Sequence, residues 1–143
     1  MLDLNFIQRK IKLIHEELSR LESLSHYTFT EISEDFTKMS AVERLLEKII
    51  MRAIDINQHI IAELGHGDEK IRGYEDTFHA LYSLNVYPIE FSKEIAPSAG
   101  LRNRLVHEYN DTNNEIIYKS VKDAISQYTR YCDYILKFVS NKK

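Results

Sequence analysis

Apolar residues recur every three or four positions from the start of the chain. Leu4, Ile7, Ile11, Ile14, Leu18 and Leu21 form one seam, with Lys, Arg and Glu between them. This period predicts an amphipathic helix from Leu4 to Ser25. The stretch after it is mixed, but Thr28 followed by Glu31 has the form of a capping box and predicts a short helix. Ser40 followed by Glu43 has the same form and predicts the start of the next one. Beyond it Val42, Leu45, Leu46, Ile49, Ile50, Ala53, Ile54, Ile60, Ile61 and Leu64 make a broad apolar face, as on a central helix buried on several sides. Gly65-His66-Gly67-Asp68 ends that pattern in the manner of a glycine C-cap.

The second half is more broken. A third helix is predicted over Tyr74 to Leu84 from Phe78, Leu81 and Tyr82. A fourth opens at Pro88, with Phe91 and Ile95 facing inward. Pro97 interrupts it, so the backbone is expected to kink or restart between Ala96 and Gly100. The last helix starts around Asn113 to Glu115 and runs to about Val139, its seam made by Ile117, Val121, Ala124, Ile125, Tyr128, Cys132, Ile135 and Val139. No repeat, linker or strand pair is visible. The predicted architecture is all-α: an up-and-down bundle of four to five helices, forming a single domain over residues 1–143.

Composition agrees with this picture. The chain is 43% hydrophobic and 29% charged, with only four Gly and two Pro, too few for an architecture of strands and turns. A net charge of −3 argues against a broadly basic surface for nonspecific nucleic-acid binding, but leaves room for a local basic site. The single cysteine, Cys132, falls in an apolar register and reads as a small buried hydrophobe. No apolar run is long enough to span a bilayer and no signal-peptide pattern opens the chain, so a soluble cytoplasmic protein is expected.

One segment departs from ordinary helix. Arg102-Asn103-Arg104-Leu105-Val106-His107-Glu108-Tyr109 gathers two arginines, a histidine and a tyrosine just before the polar run Asn110 to Asn114. At about 100° per residue, Asn103 and His107 share a helix face and Arg104 lies beside them, whereas Arg102 sits about 140° from His107. Three arrangements reconcile the pair: the Arg102 side chain curls round, the helix begins with a distorted turn, or a second copy supplies the partner. Histidine moves protons near neutral pH, and arginine offers a permanent charge in a fork matched to phosphate oxygens. That combination, without a carboxylate cluster, suits metal-free cleavage of RNA, whose 2′-hydroxyl is a built-in nucleophile. On spacing alone, the commoner roles of these residues are structural: a half-buried histidine, salt-bridged surface arginines, a tyrosine at the core edge. Six histidines raise the question of metal, but His59 and His66 are seven apart across a helix end, and no pair has ligand spacing beside carboxylates.

Arg102, His107 and Tyr109 together resemble the R-x4-H-x-Y motif of HepT-like toxins in the HEPN superfamily. The surrounding words are similar too: Ala41-Val42-Glu43-Arg44-Leu45-Leu46-Glu47, Ala99-Gly100-Leu101 leading into the motif, and Ile117-Tyr118 after it. The resemblance implies a HEPN-like helical bundle that forms a homodimer, bringing two motifs to a shared cleft. It implies a metal-independent endoribonuclease without cofactor, the toxin of a type VII toxin–antitoxin system. His107 would transfer protons, Arg102 would clamp the phosphate, and Asn103 would be the polar residue following the arginine. Arg104 is a candidate phosphate contact on its chemistry. The implied partner is an MntA-like minimal nucleotidyltransferase antitoxin that attaches AMP to the motif tyrosine, here Tyr109. The competing expectation is a HEPN helical protein that binds a nucleotidyltransferase without cleaving RNA.

Overall fold

The computed structural model describes residues 1–107 and 114–142, with side chains for all of these except residues 103–107. Among them lie seven helices: α1 (Leu4–Leu24), α2 (Phe29–Ser33), α3 (Phe36–Leu64), α4 (Tyr74–Ser83), α5 (Ile89–Ile95), α6 (Ser98–His107) and α7 (Asn114–Ser140). Five have ten residues or more, in keeping with the expected all-α bundle; α2 and α5 are short additions.

The 29-residue α3 is the axis of the bundle. Its buried positions, from Met39 to Ile60, cover too wide an arc for a one-sided surface helix, and α1, α2, α4, α6 and α7 all pack on it. The α1–α3 pairing is antiparallel, because contacts that advance along α1 retreat along α3. The Asp3 N–H donates to His59 Nε2, Lys10 pairs with Asp55, and Glu17 with Arg52. The Tyr118 hydroxyl near the start of α7 donates to the Tyr27 carbonyl, while Tyr131 meets Ala53. The last helix therefore runs in the same sense as α3.

Local chemistry explains the element ends. The Thr28–Glu31 capping box forms as expected, with both reciprocal bonds present. The expected start of α3 at Ser40 is corrected: the helix begins a turn earlier, at Phe36, because the Asp35 carboxylate accepts the N–H groups of Thr37 and Lys38. Gly65 does cap α3, but in an extended conformation (φ −67°, ψ 155°); the left-handed glycine is Gly67. Pro88 sits one residue ahead of the first turn of α5, as its N-cap. The end of α4 is closed by Asn85 at φ 66°, with the Val86 N–H bonded to the Leu81 carbonyl and the Asn85 N–H to that of Tyr82. This is a Schellman motif with asparagine in the place glycine usually takes. The backbone restarts after Pro97, as the proline predicts.

One apolar cluster joins these helices. Between α4, α5 and α7 it is aromatic: Phe78, Tyr87, Phe91, Tyr128, Tyr131 and Tyr134 pack with ring centroids 4.9–6.4 Å apart. Cys132 is fully buried, and burial pushes its thiol up to about 12. Among the described residues, no helix is long and apolar enough to cross a membrane.

Candidate active site

Arg102, Asn103, Arg104 and His107 all fall on α6. Pro97 lacks the N–H that would continue α5, so Ser98 opens a new helix, and its first turn is pinned from two sides. The Ser98 hydroxyl donates to the Ile95 carbonyl at 2.7 Å and lies 2.6 Å from the Tyr128 hydroxyl on α7. Burial holds the Tyr128 phenol well above its usual pKa, so it stays a neutral donor to Ser98. Ala96 and Ala99, both buried, leave little side-chain bulk where α6 settles against α3 and α4.

The helix is unbroken from Ser98 to His107, so the register of its positions follows directly. Positions 102 and 107 are about 140° apart, whereas 100, 103 and 107 fall within about 60° of one another, with 104 beside them. On this second face only position 100 has its side-chain surroundings described, and a Cβ placed on Gly100 would meet nothing within 4 Å among the described residues. Arg102 belongs instead to the Ser98 side. Its guanidinium carbon sits 5.4 Å from the centre of the Tyr74 ring, at the first residue of α4. The residue is half-buried, and its Nε is buried with no hydrogen-bond partner among the described residues. An unpaired buried donor costs about 1–3 kcal/mol, and among the described residues the Tyr74 ring is the contact that offsets it.

The structure therefore brings Arg102 to Tyr74 and not to the face of position 107. The side chains of Asn103, Arg104 and His107, and the whole of Tyr109, lie outside the described residues. Of the three arrangements open from sequence, two are touched by the described residues: α6 is entered through a tightened turn, with the Ala99 N–H bonded to the Ala96 carbonyl and the Gly100 N–H to that of Pro97, and the Arg102 side chain is engaged on the α4 side. Sequence reasoning missed Tyr74, which lies 28 positions before Arg102 in a segment whose periodicity marks it only as a helix start.

A cleft of about 340 Å³ lies beside α6, lined by Glu94, Ser98, Gly100, Ser120, Asp123 and Gln127 among others. Glu94 is held below its usual pKa by its ion pair with Arg130 and keeps its negative charge. Asp123 is also on the wall, Glu94 is offset by its Arg130 partner, and among the described residues no Lys or Arg lines the cleft.

A family model described as ribonuclease HepT-like matches residues 14–135. The chain belongs to this family. It is 35% identical over 136 residues to a tRNA nuclease HepT from Aphanizomenon flos-aquae, covering 93% of this chain and 89% of that one. It is 25% identical over 131 residues to an mRNA nuclease HepT from Shewanella oneidensis, covering 92% and 96%. The solved structure of a tri-AMPylated Shewanella oneidensis HEPN toxin in complex with MNT antitoxin matches with a TM-score of 0.81 at 26% identity, over 96% of this chain and 99% of that one. The HepT-like resemblance read from the motif and the helical fold it implied are both borne out.

Proposed function

We propose that this HepT-like protein is a toxin that cleaves RNA without metal, at a site assembled from two copies of the chain. The observation that carries the reading is the family match over residues 14–135, with the R-x4-H motif on a single unbroken helix. That helix gives the reading its geometry. Arg102 and position 107 diverge by about 140° on one copy, so the arginine that meets His107 comes from the second. The face of positions 100, 103 and 107, where a Cβ on Gly100 would meet nothing within 4 Å, is where the second copy and the substrate approach. The whole of 1–143 acts as one HepT-like domain, working in the cytoplasm where its RNA substrate is found.

The chemistry needs little from the protein. His107 takes the proton of the 2′-hydroxyl, the freed O2′ attacks phosphorus, and the bond from phosphorus to O5′ breaks. O5′ takes a proton, leaving a 2′,3′-cyclic phosphate on one fragment and a 5′-hydroxyl on the other. Arg102 offsets the charge that builds on the phosphoryl oxygens, and Asn103 and Arg104 hold the flanking backbone. Neutralisation follows from the same placement. A nucleotidyltransferase antitoxin, like the MNT partner of the Shewanella toxin, transfers AMP from ATP to the Tyr109 hydroxyl: the phenol oxygen bonds to the α-phosphorus, loses its proton, and pyrophosphate leaves. The added phosphate sits two residues from His107 and repels the RNA phosphate that must enter.

The test is cleavage of RNA by purified protein in EDTA. The expected result is fragments ending in 2′,3′-cyclic phosphate, no cleavage of DNA, and a loss of at least about 100-fold in His107→Ala with the fold retained. Undiminished cleavage by His107→Ala, or loss of activity in EDTA that returns with a divalent ion, contradicts the reading. AMPylation is read by intact mass after incubation with the antitoxin and ATP: added AMP on the wild type and none on Tyr109→Phe. Equal addition to both moves the acceptor elsewhere.

A further inference from the structure

We propose that Tyr74 is a positioning residue for the active site: its ring is the platform that fixes the Arg102 guanidinium, and a buried hydrogen-bond chain from α7 through α3 anchors the backbone that carries the ring. The inference rests on Arg102 acting in catalysis, as set out above. An arginine on a helix surface ordinarily samples many rotamers, and ordering it costs entropy that a clamp must supply beforehand. Among the described residues no carboxylate does so. The described contact on the guanidinium is the Tyr74 ring at 5.4 Å, and Nε is buried and unpartnered. A carboxylate would order Arg102 equally well but would neutralise the charge that a phosphoryl group needs. An aromatic face orders the guanidinium and leaves its charge available.

The platform is itself held. Gly73 at the N-cap of α4 has no side chain to cap the helix, and the Asp76 carboxylate accepts the Arg72 N–H just ahead of it. The Thr77 hydroxyl donates to the Tyr74 carbonyl at 2.6 Å and accepts from Asn57 Nδ2 at 3.1 Å. Asn57 Oδ1 in turn accepts from the Tyr131 hydroxyl, which also lies 3.0 Å from the Ala53 carbonyl. Asn57, Thr77 and Tyr131 are all buried. Burial holds the Tyr131 phenol well above its usual pKa, so it remains a donor throughout the working pH range. The chain runs from α7 through α3 to the residue under Arg102. It gives a purpose to polar groups that the apolar core would otherwise exclude.

The experiment measures kcat and KM for RNA cleavage by the full-length protein carrying Tyr74→Phe, Tyr74→Leu, Arg102→Lys, or Arg102→Lys with Tyr74→Leu. Tyr74→Phe keeps the ring and stays within about two-fold of wild type. Tyr74→Leu loses roughly three- to thirty-fold in kcat with KM little changed, the range expected for a partly buried cation–π contact. In the Arg102→Lys background the same change costs no more than about two-fold, because the planar fork it orients is already gone. Pentafluorophenylalanine at position 74 keeps the ring's shape while reversing its electrostatic face; it lowers kcat like leucine even if Tyr74→Leu does not fold. Wild-type kcat in Tyr74→Leu or in the fluorinated protein overturns the inference, as does an equal loss with and without Arg102. A fully active Arg102→Ala protein fails differently: it removes the catalytic reading of Arg102 and leaves Tyr74 a structural residue.

Discussion

Two buried residues show how the helical seams handle chemistry that does not belong in a core. Glu17 lies in the apolar seam of α1 with its side chain only 4% exposed, and Arg52 on α3 meets it with two nitrogens. Removing one member of such a pair leaves a buried charge uncompensated. Arg52→Ala is therefore expected to destabilise the fold by about 3 kcal/mol, measured by urea unfolding, whereas replacing both residues with methionine costs far less. A single loss no larger than the double would contradict this. Cys132 is the opposite case: its burial, with the thiol pushed up to about 12, predicts no labelling by iodoacetamide at pH 8 until the chain unfolds. Rapid labelling of the native protein would place the thiol at a surface. The seam position of Cys132 could be read from sequence; the burial of Glu17, among the charged residues set between the seam positions, could not. The partner of Glu17 could not, because the pair is 35 residues apart and forms only once α1 and α3 are laid antiparallel.

At the scale of elements, periodicity located the long helices well and their ends less well. The seams of α1, α3 and α7 fall where the apolar spacing put them, and Pro97 did divide α5 from α6. The start of α3 did not follow, because two capping signals compete within six residues. Ser40–Glu43 has the better pattern, but Asp35 is the carboxylate that reaches the orphan N–H groups. Asp35→Ala is accordingly expected to cost about 1 kcal/mol and Ser40→Ala a few tenths at most, read as shifts in the unfolding midpoint. The reverse order would restore the later start. The motif was legible on α6 as residues, and so was the 140° problem between Arg102 and His107. Tyr74 was not, because nothing in local spacing announces that α4 delivers an aromatic ring beneath an arginine of α6.

At the scale of the whole molecule, charge and assembly set the remaining expectations. Several carboxyls sit below their usual pKa: Glu31 through the Thr28 backbone, Asp35 through the Lys38 side chain, Glu69 through the His66 backbone, and Glu94 through Arg130. Each contributes stability that is present above its unfolded value, 4.5 for glutamate and 3.8 for aspartate, and lost as pH falls through the lower folded value. Glu43 works the other way: burial raises its pKa, so its contribution falls as pH rises. With Glu63, lowered by its bond to the N-terminal ammonium, five such groups stand against the one among the described residues. Melting temperature is therefore expected to be level from pH 7 to about 5 and to fall below that, and a rise on acidification would contradict the assignment.

Assembly carries the central claim, that one copy supplies Arg102 and the other His107. Complementation tests it most directly. Arg102→Ala and His107→Ala proteins, each inactive alone, are unfolded together, refolded at equal concentration and assayed for RNA cleavage in EDTA. Random pairing makes about half the dimers mixed, each with one intact site of two, so the account predicts recovery of roughly a quarter of the wild-type rate. No recovery from a mixture shown by mass to contain mixed dimers would contradict it, and would return both residues to a site within one chain.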